Sequence, residues 1–293
     1  MVEAQFDPNK QPVHIDIDET RPYNQRLDEM FADDPFATAY YSNADSWWLT
    51  KRLLDDSKAT RNNVIYETTP RSVGDIEEII KGFQSERYAV DLHALAVNSK
   101  SIILGIHQRF EAQLMSAVTA RWTPIDFHDD AYAVFPKNVA HLERAAGLEI
   151  VSLYSRSGEV LYCNDKDPTK RVAQEIIERE RGRIWTPNEK EKHLTGWQKV
   201  AAQIERRPAG KAKPDWYVVG VRGFLKEAQL FNDARIGLDT DALENGVFEA
   251  ITHHHIFVRS VGTQELICFE KPSPSTPSRS VKGATAPSDK PQP

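Results

Sequence analysis

The chain has 293 residues, a hydrophobic fraction of 40% and a formal net charge of -6. Its length is enough for one substantial core or two smaller ones, and its acidic balance does not favour a general nucleic-acid-binding role. No apolar run approaches the ~20 residues that a membrane helix needs. The two cysteines, Cys163 and Cys268, exclude a disulfide framework and leave no CxxC metal spacing. Because the N-terminus also does not resemble a signal peptide, the sequence predicts a cytoplasmic protein without a metal site.

Short apolar runs alternate with longer amphipathic segments between residues 13 and 163. The runs predict strands at 13–18, 62–67, 88–97, 148–153 and 160–163. The amphipathic segments predict helices at 23–31, 44–57, 72–85, 99–115 and 123–146. Asn98 is the expected N-cap of the fourth helix, and Gly147 the expected C-cap of the fifth. This alternation predicts an α/β fold in which helices cover both faces of a parallel sheet.

The character of the chain changes after Asp167. Charged amphipathic helices are predicted at 172–181 and 189–206, a partly helical stretch at 215–245, and a strand pair with a turn at Gly262 within 256–270. The end of the chain is rich in Pro, Ser, Thr, Lys and Ala, a composition typical of disorder. The predicted organisation is a frayed N-terminus (1–12), an α/β core (13–167), a charged, mainly helical accessory region (168–271) and a disordered tail (272–293).

Two aspartates near the end of the first predicted strand are candidates for acid–base chemistry. Asp16 and Asp18 alternate with apolar residues and are expected to share one face of that strand. A carboxylate just beyond a strand tip can accept a proton from a substrate hydroxyl, as the catalytic aspartate does in phosphoryl transfer. A helix N-cap or a solvated loop acid is the alternative interpretation of Asp18, and Asp16 is a competing candidate for the base.

Three hydrogen-bonding residues lie at and just after the carboxyl end of the second predicted strand. Glu67 can accept hydrogen bonds from a sugar-like hydroxyl, Thr69 can donate to a phosphate, and Arg71 can bind a phosphate with two N–H groups. In open α/β sheets, ligands bind at the carboxyl ends of the strands. The residues taken alone fit equally well a strand-to-helix turn stiffened by Pro70.

Two arginines further along the chain are candidates for binding a polyanion. Arg109 lies late in the predicted helix 99–115, and Arg121 lies in the connection before Pro124. Two such cations can converge on one triphosphate and offset charge on its equatorial oxygens. Taken alone, the pair also fits two unrelated surface arginines.

Four blocks, in this order and at fitting intervals, resemble the zeta toxin family of P-loop kinases over roughly residues 13–165. Each block is weak on its own, but the ordered set is fairly specific. The blocks are Ile15-Asp16-Ile17-Asp18, Tyr41-Ser42-Asn43, Tyr66-Glu67-Thr68-Thr69-Pro70-Arg71, and the pair Gly105-Ile106-His107-Gln108-Arg109-Phe110-Glu111 and Thr119-Ala120-Arg121-Trp122-Thr123-Pro124 with His128-Asp129.

The resemblance implies a kinase that uses ATP and Mg²⁺ to phosphorylate a hydroxyl of a nucleotide sugar, typically UDP-N-acetylglucosamine. It also implies the toxin of a toxin–antitoxin system, held inactive by a small helical antitoxin. Asp18 matches the family's general base, and Arg109 and Arg121 match its catalytic ATP-phosphate arginines. The residues that match or stand nearest to its substrate-binding set are Ser42, Asn43, Asp45, Glu67, Thr69 and Arg71.

The sequence departs from the family pattern in three places. The family has a strand and a GxxxxGKS/T loop before the block matched by Ile15–Asp18, and here only a dozen polar residues stand there. Thr68 replaces a glycine, and Trp47 replaces an acidic residue, with Asp45 two positions earlier. The first strand and the phosphate loop are therefore expected to be absent from the sheet, with unpaired edges beside the strands that end near Asp18 and Glu67.

The missing loop has a catalytic consequence. Its amides, lysine and hydroxyl hold the phosphates and Mg²⁺, so their loss predicts doubtful ATP binding and no turnover by this chain as it stands. The alternative function is a non-catalytic remnant that binds a nucleotide sugar or a protein partner.

Overall fold

The computed structural model describes residues 11–116, 119–165, 167 and 169–233, and two strands at 255–259 and 266–270. Everything described up to Asp233 belongs to one compact unit, and the two later strands belong to a second. The predicted fraying of residues 1–10, the turn at Gly262 and the predicted tail lie outside the described residues.

The first unit alternates strands with helices and then becomes helical. Its strands are β1 (Val13–Asp16), β2 (Val64–Glu67), β3 (Leu92–Leu95), β4 (Val151–Tyr154) and β5 (Val160–Cys163). Its helices are α1 (Ile17–Thr20), α2 (Leu27–Asp33), α3 (Thr38–Tyr41), α4 (Asn43–Ala59), α5 (Val73–Ser85), α6 (Ser99–Met115), α7 (Ile125–Ala145), α8 (Ala173–Gly182), α9 (Pro187–Arg206) and α10 (Asp215–Asp233). In the second unit, β6 (His255–Arg259) pairs antiparallel with β7 (Leu266–Glu270), which confirms the predicted strand pair.

Parallel pairing dominates the first unit. Strand β1 runs parallel to β2, and β3 runs parallel to β4, while β5 returns antiparallel to β4. The α/β class with parallel strands is therefore confirmed, as is the helical character of the chain beyond Asp167. None of the described helices is both long and apolar enough to cross a membrane.

The sheet is divided between β2 and β3. These strands form separate sheets, and within the described part of the chain each is paired along one edge only. Helix α5 connects them and packs against both parts: Phe83 joins the cluster under β1 and β2, whereas Ile80 joins a cluster with Leu92 of β3. Val90 contacts both clusters, so α5 and the chain after it hold the two parts of the sheet together.

Apolar packing covers the three-stranded part of the sheet. All four residues of β4 are buried, as expected for a strand covered on both faces. Val139 of α7 and Ala173 and Ile177 of α8 pack on this sheet and are fully buried. Helices α7 and α8 therefore form one layer over β3, β4 and β5.

A second core, rich in aromatic side chains, lies between α6, the segment around Trp122 and the helices α9 and α10. We call it the aromatic layer. Its most buried members are Phe110, Trp122, Trp197 and Tyr217, all at most 5% exposed. Through this layer the helices beyond residue 167 pack directly on the helix that carries Arg109. The predicted domain boundary at 167 stays a prediction.

The boundaries of the elements follow local hydrogen bonding. Helix α6 matches its predicted range, and Asn98 caps it by accepting a hydrogen bond from the Lys100 amide at 2.9 Å. Gly147 takes a left-handed conformation with φ +60° after α7, as a C-cap requires. Strand β3 is shorter than the predicted 88–97, and α2 begins later than predicted, because a 3₁₀ turn with Pro22 precedes it.

Candidate functional site

The chain turns from strand to helix at the candidate base. Asp16 ends β1 and acts as the N-cap of α1, where its carboxylate accepts a hydrogen bond from the Asp18 amide at 2.9 Å. The prediction of a strand through residue 18 is therefore wrong. Because the Asp16 cap stops the strand, Asp18 lies in the first turn of α1 and does not share a strand face with Asp16. This turn sits at the carboxyl end of β1, where a parallel sheet binds its ligands.

The Asp18 carboxylate is held by two arginines. Arg21 Nε donates to Asp18 Oδ1 at 3.0 Å, and Arg121 Nη1 forms an ion pair with Asp18 Oδ2. The side chains are only 24%, 11% and 20% exposed for Asp18, Arg21 and Arg121, so solvent screens these pairs only partly. The structure thus brings Asp18 and Arg121, two of the predicted site residues, into direct contact.

Arg21, which the sequence did not single out, links this carboxylate to the segment before α4. Its Nη1 donates to the carbonyl of Ala39 at 2.7 Å and to Ser42 Oγ at 2.9 Å. Its Nη2 donates to Asn43 Oδ1 at 3.3 Å. One guanidinium therefore joins Asp18 to Ser42 and Asn43, two predicted substrate-binding residues.

Arg109 and Arg121 are held by different hydrogen-bond partners. Arg109 donates from Nη2 to Thr123 Oγ1 at 3.0 Å, and the Arg121 amide donates to Gln113 Oε1 at 2.9 Å. Burial lowers the pKa of both arginines, and the Asp16 carboxylate opposes this effect in each case. Both side chains therefore lie within electrostatic reach of one carboxylate, as convergence on a common anion requires.

Arg109 has an unsatisfied donor. Its Nε is buried, and no acceptor for it occurs among the described residues. A buried N–H without an acceptor costs free energy. Arg181 Nε and Arg207 Nε are in the same state, so this unpaired donor does not by itself mark a ligand site.

The residues after β2 divide into two groups. Glu67 pairs with His14 Nε2 at 3.0 Å and stands opposite Asp16 in the β1–β2 register, so it lies beside the Asp18 turn. Arg71 instead faces α7, with its guanidinium 4.4 Å from the Phe127 ring centroid and 3.8 Å from an Asp130 oxygen. Asn138 Nδ2 donates to the Pro70 and Arg71 carbonyls at 2.6 and 3.1 Å and holds this segment against α7.

Two predicted substrate residues stay at the surface. Thr69 is exposed, and its carbonyl accepts a hydrogen bond from the Arg71 amide at 2.8 Å. Asp45 accepts a hydrogen bond from Asn24 Nδ2 at 2.7 Å. The structure shows no direct contact of Thr69, Asp45 or Arg71 with Asp18 among the described residues.

A buried polar cluster stands behind Arg109 on the same helix. Glu111 is 1% exposed and accepts hydrogen bonds from Tyr217 Oη at 2.8 Å and from Arg207 Nη1 at 2.7 Å. Burial is the main cause that raises the pKa of Glu111, while Tyr217 and Arg207 act in the opposite direction. This cluster ties α6 to α10 and to the end of α9, two residues away from Arg109.

Comparison with known proteins gives this arrangement a context. The family model described as "Zeta toxin" matches residues 1–167. Toxin zeta of Enterococcus hirae is 28% identical over 144 residues, which are 49% of each chain, and Toxin zeta of Streptococcus agalactiae is 25% identical over 172 residues, 58% of this chain and 60% of the relative. These matches span roughly half to three-fifths of the curated relatives.

A solved structure shows the same fold. It comes from the characterisation of the PezAT chromosomal toxin–antitoxin system of Streptococcus pneumoniae, with a TM-score of 0.57 and 21% sequence identity. The superposition covers 66% of this chain and 76% of that one. It therefore extends beyond the residues that the family model matches.

Proposed function

From the premise that the chain belongs to the zeta toxin family, we propose that it carries the nucleotide-sugar site of a kinase domain. The proposed reaction transfers a phosphoryl group from ATP to a hydroxyl of a UDP-N-acetylglucosamine-type substrate. The observation that carries this proposal is the Asp18 carboxylate, held at the carboxyl end of β1 between Arg21 and Arg121. A carboxylate among cations suits a reaction that moves a proton from a hydroxyl beside a polyanion.

In this proposal Asp18 accepts the proton of the substrate hydroxyl. Each of its oxygens contacts one arginine, and an ionised carboxylate has about four acceptor positions, so room remains for the substrate. Ser42 and Asn43 lie one hydrogen-bonded link away, and Glu67 lies beside the same turn. Asn43 and Glu67 would orient the sugar, while Ser42, which is fully buried, would act through Arg21. Asp45, Thr69 and Arg71 would contact more distant parts of the nucleotide.

Arg109 and Arg121 would bind the phosphates of ATP, which supplies the phosphoryl group. Arg121 fits this role by its ion pair with Asp18, and Arg109 by the charge of Asp16 that acts on it. Mg²⁺ would be held mainly by the ATP phosphates and water, since in such sites it usually takes only one or two protein carboxylates. No step of the proposal depends on the metal.

Turnover is a separate question from binding. The 293 residues contain no GxxxxGKS/T sequence, the loop that holds the β- and γ-phosphates in P-loop kinases. The proposal therefore assigns substrate binding to these residues and makes transfer dependent on a phosphate loop that they do not supply. A non-catalytic protein that binds a nucleotide sugar through the same residues is the second candidate.

A protein partner is part of the proposal. The solved relative comes from a toxin–antitoxin system, and we propose that this chain is likewise a toxin that a small helical antitoxin binds. Co-purification with the product of a neighbouring reading frame would test the partner independently of the ligand.

Calorimetric titration with UDP-N-acetylglucosamine and with ATP, followed by mass spectrometry of the nucleotide sugar, tests the function. We expect the nucleotide sugar to bind, and Arg121→Gln to weaken ATP binding by about tenfold, the loss of one charge-assisted contact. Asp18→Asn should abolish any transfer, whereas Asp56→Asn, an exposed carboxylate on α4, should change neither property. A wild-type chain that does not bind the nucleotide sugar would contradict the proposal.

A further inference from the structure

The guanidinium of Arg21 makes four polar contacts in the candidate site, and the proposed reaction gives this residue no role. Arg21 uses Nε for Asp18, Nη1 for the Ala39 carbonyl and Ser42 Oγ, and Nη2 for Asn43 Oδ1. A guanidinium has five N–H donors in a rigid fork, so nearly all of its donors are used. These contacts fix the position and orientation of the Arg21 guanidinium relative to Asp18 and to the segment before α4.

The contact to the Ala39 carbonyl anchors Arg21 independently of the other side chains. A backbone carbonyl does not change rotamer, and its 2.7 Å hydrogen bond fixes the guanidinium plane. Ser42, which is fully buried, donates its own hydroxyl to the Thr38 carbonyl at 2.8 Å and can therefore only accept from Arg21. The hydrogen-bond directions are thus consistent with a single arrangement.

Burying the charged Arg21 guanidinium costs free energy unless its donors and its charge are matched by neighbouring groups. Desolvation lowers the pKa of Arg21, and the Asp16 carboxylate counteracts it. A partly buried cation is tolerated when its donors are matched and its charge is balanced, which here requires Asp18 in a defined position. The position of Asp18 and the position of Arg21 are therefore interdependent.

We infer that Arg21 is a positioning residue that sets the Asp18 carboxylate against the Ser42–Asn43 segment. This inference rests on the proposed function, because Asp18 and Ser42–Asn43 are its base and part of its sugar site. Arg21 acts through these residues and does not need to touch the substrate. It couples the end of β1 to the start of α4, two elements that are separated in the chain by the 26 residues from Ile17 to Ser42.

Arg21→Lys tests this role because it keeps the charge and removes the fork. A lysine can still pair with Asp18, but its single ammonium cannot also span the Ala39 carbonyl, Ser42 and Asn43. Arg21→Gln is the second variant, which keeps a donor but removes the charge. Arg26→Lys is the matched control, since Arg26 is 74% exposed and pairs with the neighbouring Glu29 at 3.2 Å.

Calorimetry with UDP-N-acetylglucosamine is the first readout, made at a temperature where circular dichroism shows every variant to be folded. We expect Arg21→Lys and Arg21→Gln to weaken binding at least tenfold, and Arg26→Lys to leave it unchanged. A merely structural role would lower the melting temperature of the Arg21 variants but leave the affinity of the folded protein at the wild-type value. That result would overturn the inference.

A second readout separates this inference from the proposed function. Amide hydrogen exchange of the segment 38–46 should be faster in Arg21→Lys than in the wild type or Arg26→Lys, because the anchor of this segment is lost. If the wild-type chain binds no nucleotide sugar, the proposed function fails and the exchange result alone decides the positioning role. Unchanged exchange would then overturn it.

Discussion

Two regions meet at the candidate site and hold their functional side chains by different means. On one side, the Arg21 guanidinium fixes Asp18, Ser42 and Asn43 through directional hydrogen bonds between polar groups. On the other side, Arg109 and Arg121 project from chain segments that are fixed by the aromatic layer, where Phe110 and Trp122 are buried neighbours of the two arginines in sequence. The functional side chains of the first region are held in place by one charged side chain, and those of the second by buried apolar surface in the aromatic layer.

This difference predicts two kinds of damage. Changes in the aromatic layer should lower the free energy of unfolding and disturb the arginines only as a consequence. Changes at Arg21 should act mainly on ligand affinity, because few buried apolar contacts are lost. Substitutions on the two sides therefore separate stability from binding.

The largest effect is expected from Trp197→Ala. Trp197 is 1% exposed and stacks on Phe224 with ring centroids 4.9 Å apart. Its removal leaves a cavity between α9 and α6 and should cost about 3–5 kcal/mol of unfolding free energy. Urea denaturation followed by far-ultraviolet circular dichroism measures this loss.

Trp48→Ala is the control for this substitution, since Trp48 is 67% exposed on α4. It should change the free energy of unfolding by no more than about 0.5 kcal/mol. Equal losses for the two tryptophans would contradict the assignment of stability to the aromatic layer.

The next effect is a pH dependence of stability. Burial lowers the pKa of His107 and of His193 to about 4. The unfolded chain has ordinary histidines with pKa near 6.5, so between these values it binds more protons than the folded chain. Stability that is present above pH ~6.5 should therefore be lost progressively as the pH falls towards 4, by at most about 3 kcal/mol for each histidine.

His107→Leu checks the origin of this dependence. His107 lies against Trp122 and Trp197 in the aromatic layer, and its replacement should remove roughly half of the loss between pH 6.5 and 4. His141→Leu, which changes a histidine that is 49% exposed, should keep most of the dependence. Urea titrations at several pH values give the comparison, and an unchanged profile in His107→Leu would disprove the explanation.

The smallest effect is expected at the contact between α9 and α6. A Cβ added at Gly196 would lie 2.6 Å from Leu104 Cδ2 and 3.0 Å from Gln108 Nε2, so Gly196→Ala should cost about 1–2 kcal/mol by overpacking. Gly220→Ala on α10 is the matched control, because among the described residues no atom outside its own stretch of helix lies within 4 Å of the added Cβ. That variant should be more stable by about 0.5–1 kcal/mol, since alanine favours the helix. Thermal melts of the two variants distinguish them, and a loss at Gly220 would argue against the packing explanation.

Local signals in the sequence predicted much of the fold. Asn98 and Gly147 marked helix ends correctly because caps depend on neighbouring residues. Asp18 was misplaced because the alternation Ile15-Asp16-Ile17-Asp18 continues past the point where the Asp16 side chain captures the Asp18 amide. The alternation of apolar and polar residues predicts that β1 continues to Asp18, whereas the Asp16 side chain can cap a helix that begins at Ile17. The periodicity alone does not show which of the two structures forms.

The candidate site was predictable only in part. The residue pattern and the resemblance pointed to Asp18, Arg109 and Arg121, and the structure pairs Asp18 with Arg121 while Arg109 binds Thr123. Arg21 was missed because it precedes Pro22 in a polar stretch and has the local context of a surface arginine. Its partners Ala39, Ser42 and Asn43 lie about 20 residues further along the chain, so only the tertiary structure shows that Arg21 connects them to Asp18.

A crystal structure of this chain with UDP-N-acetylglucosamine tests the central claim most directly. The account predicts a sugar hydroxyl within about 2.6–3.2 Å of the Asp18 carboxylate, with Arg21 still bound to Ser42 and Asn43. A nucleotide sugar bound away from the Asp18 turn, with Asp18 still closed between its two arginines, would contradict the account.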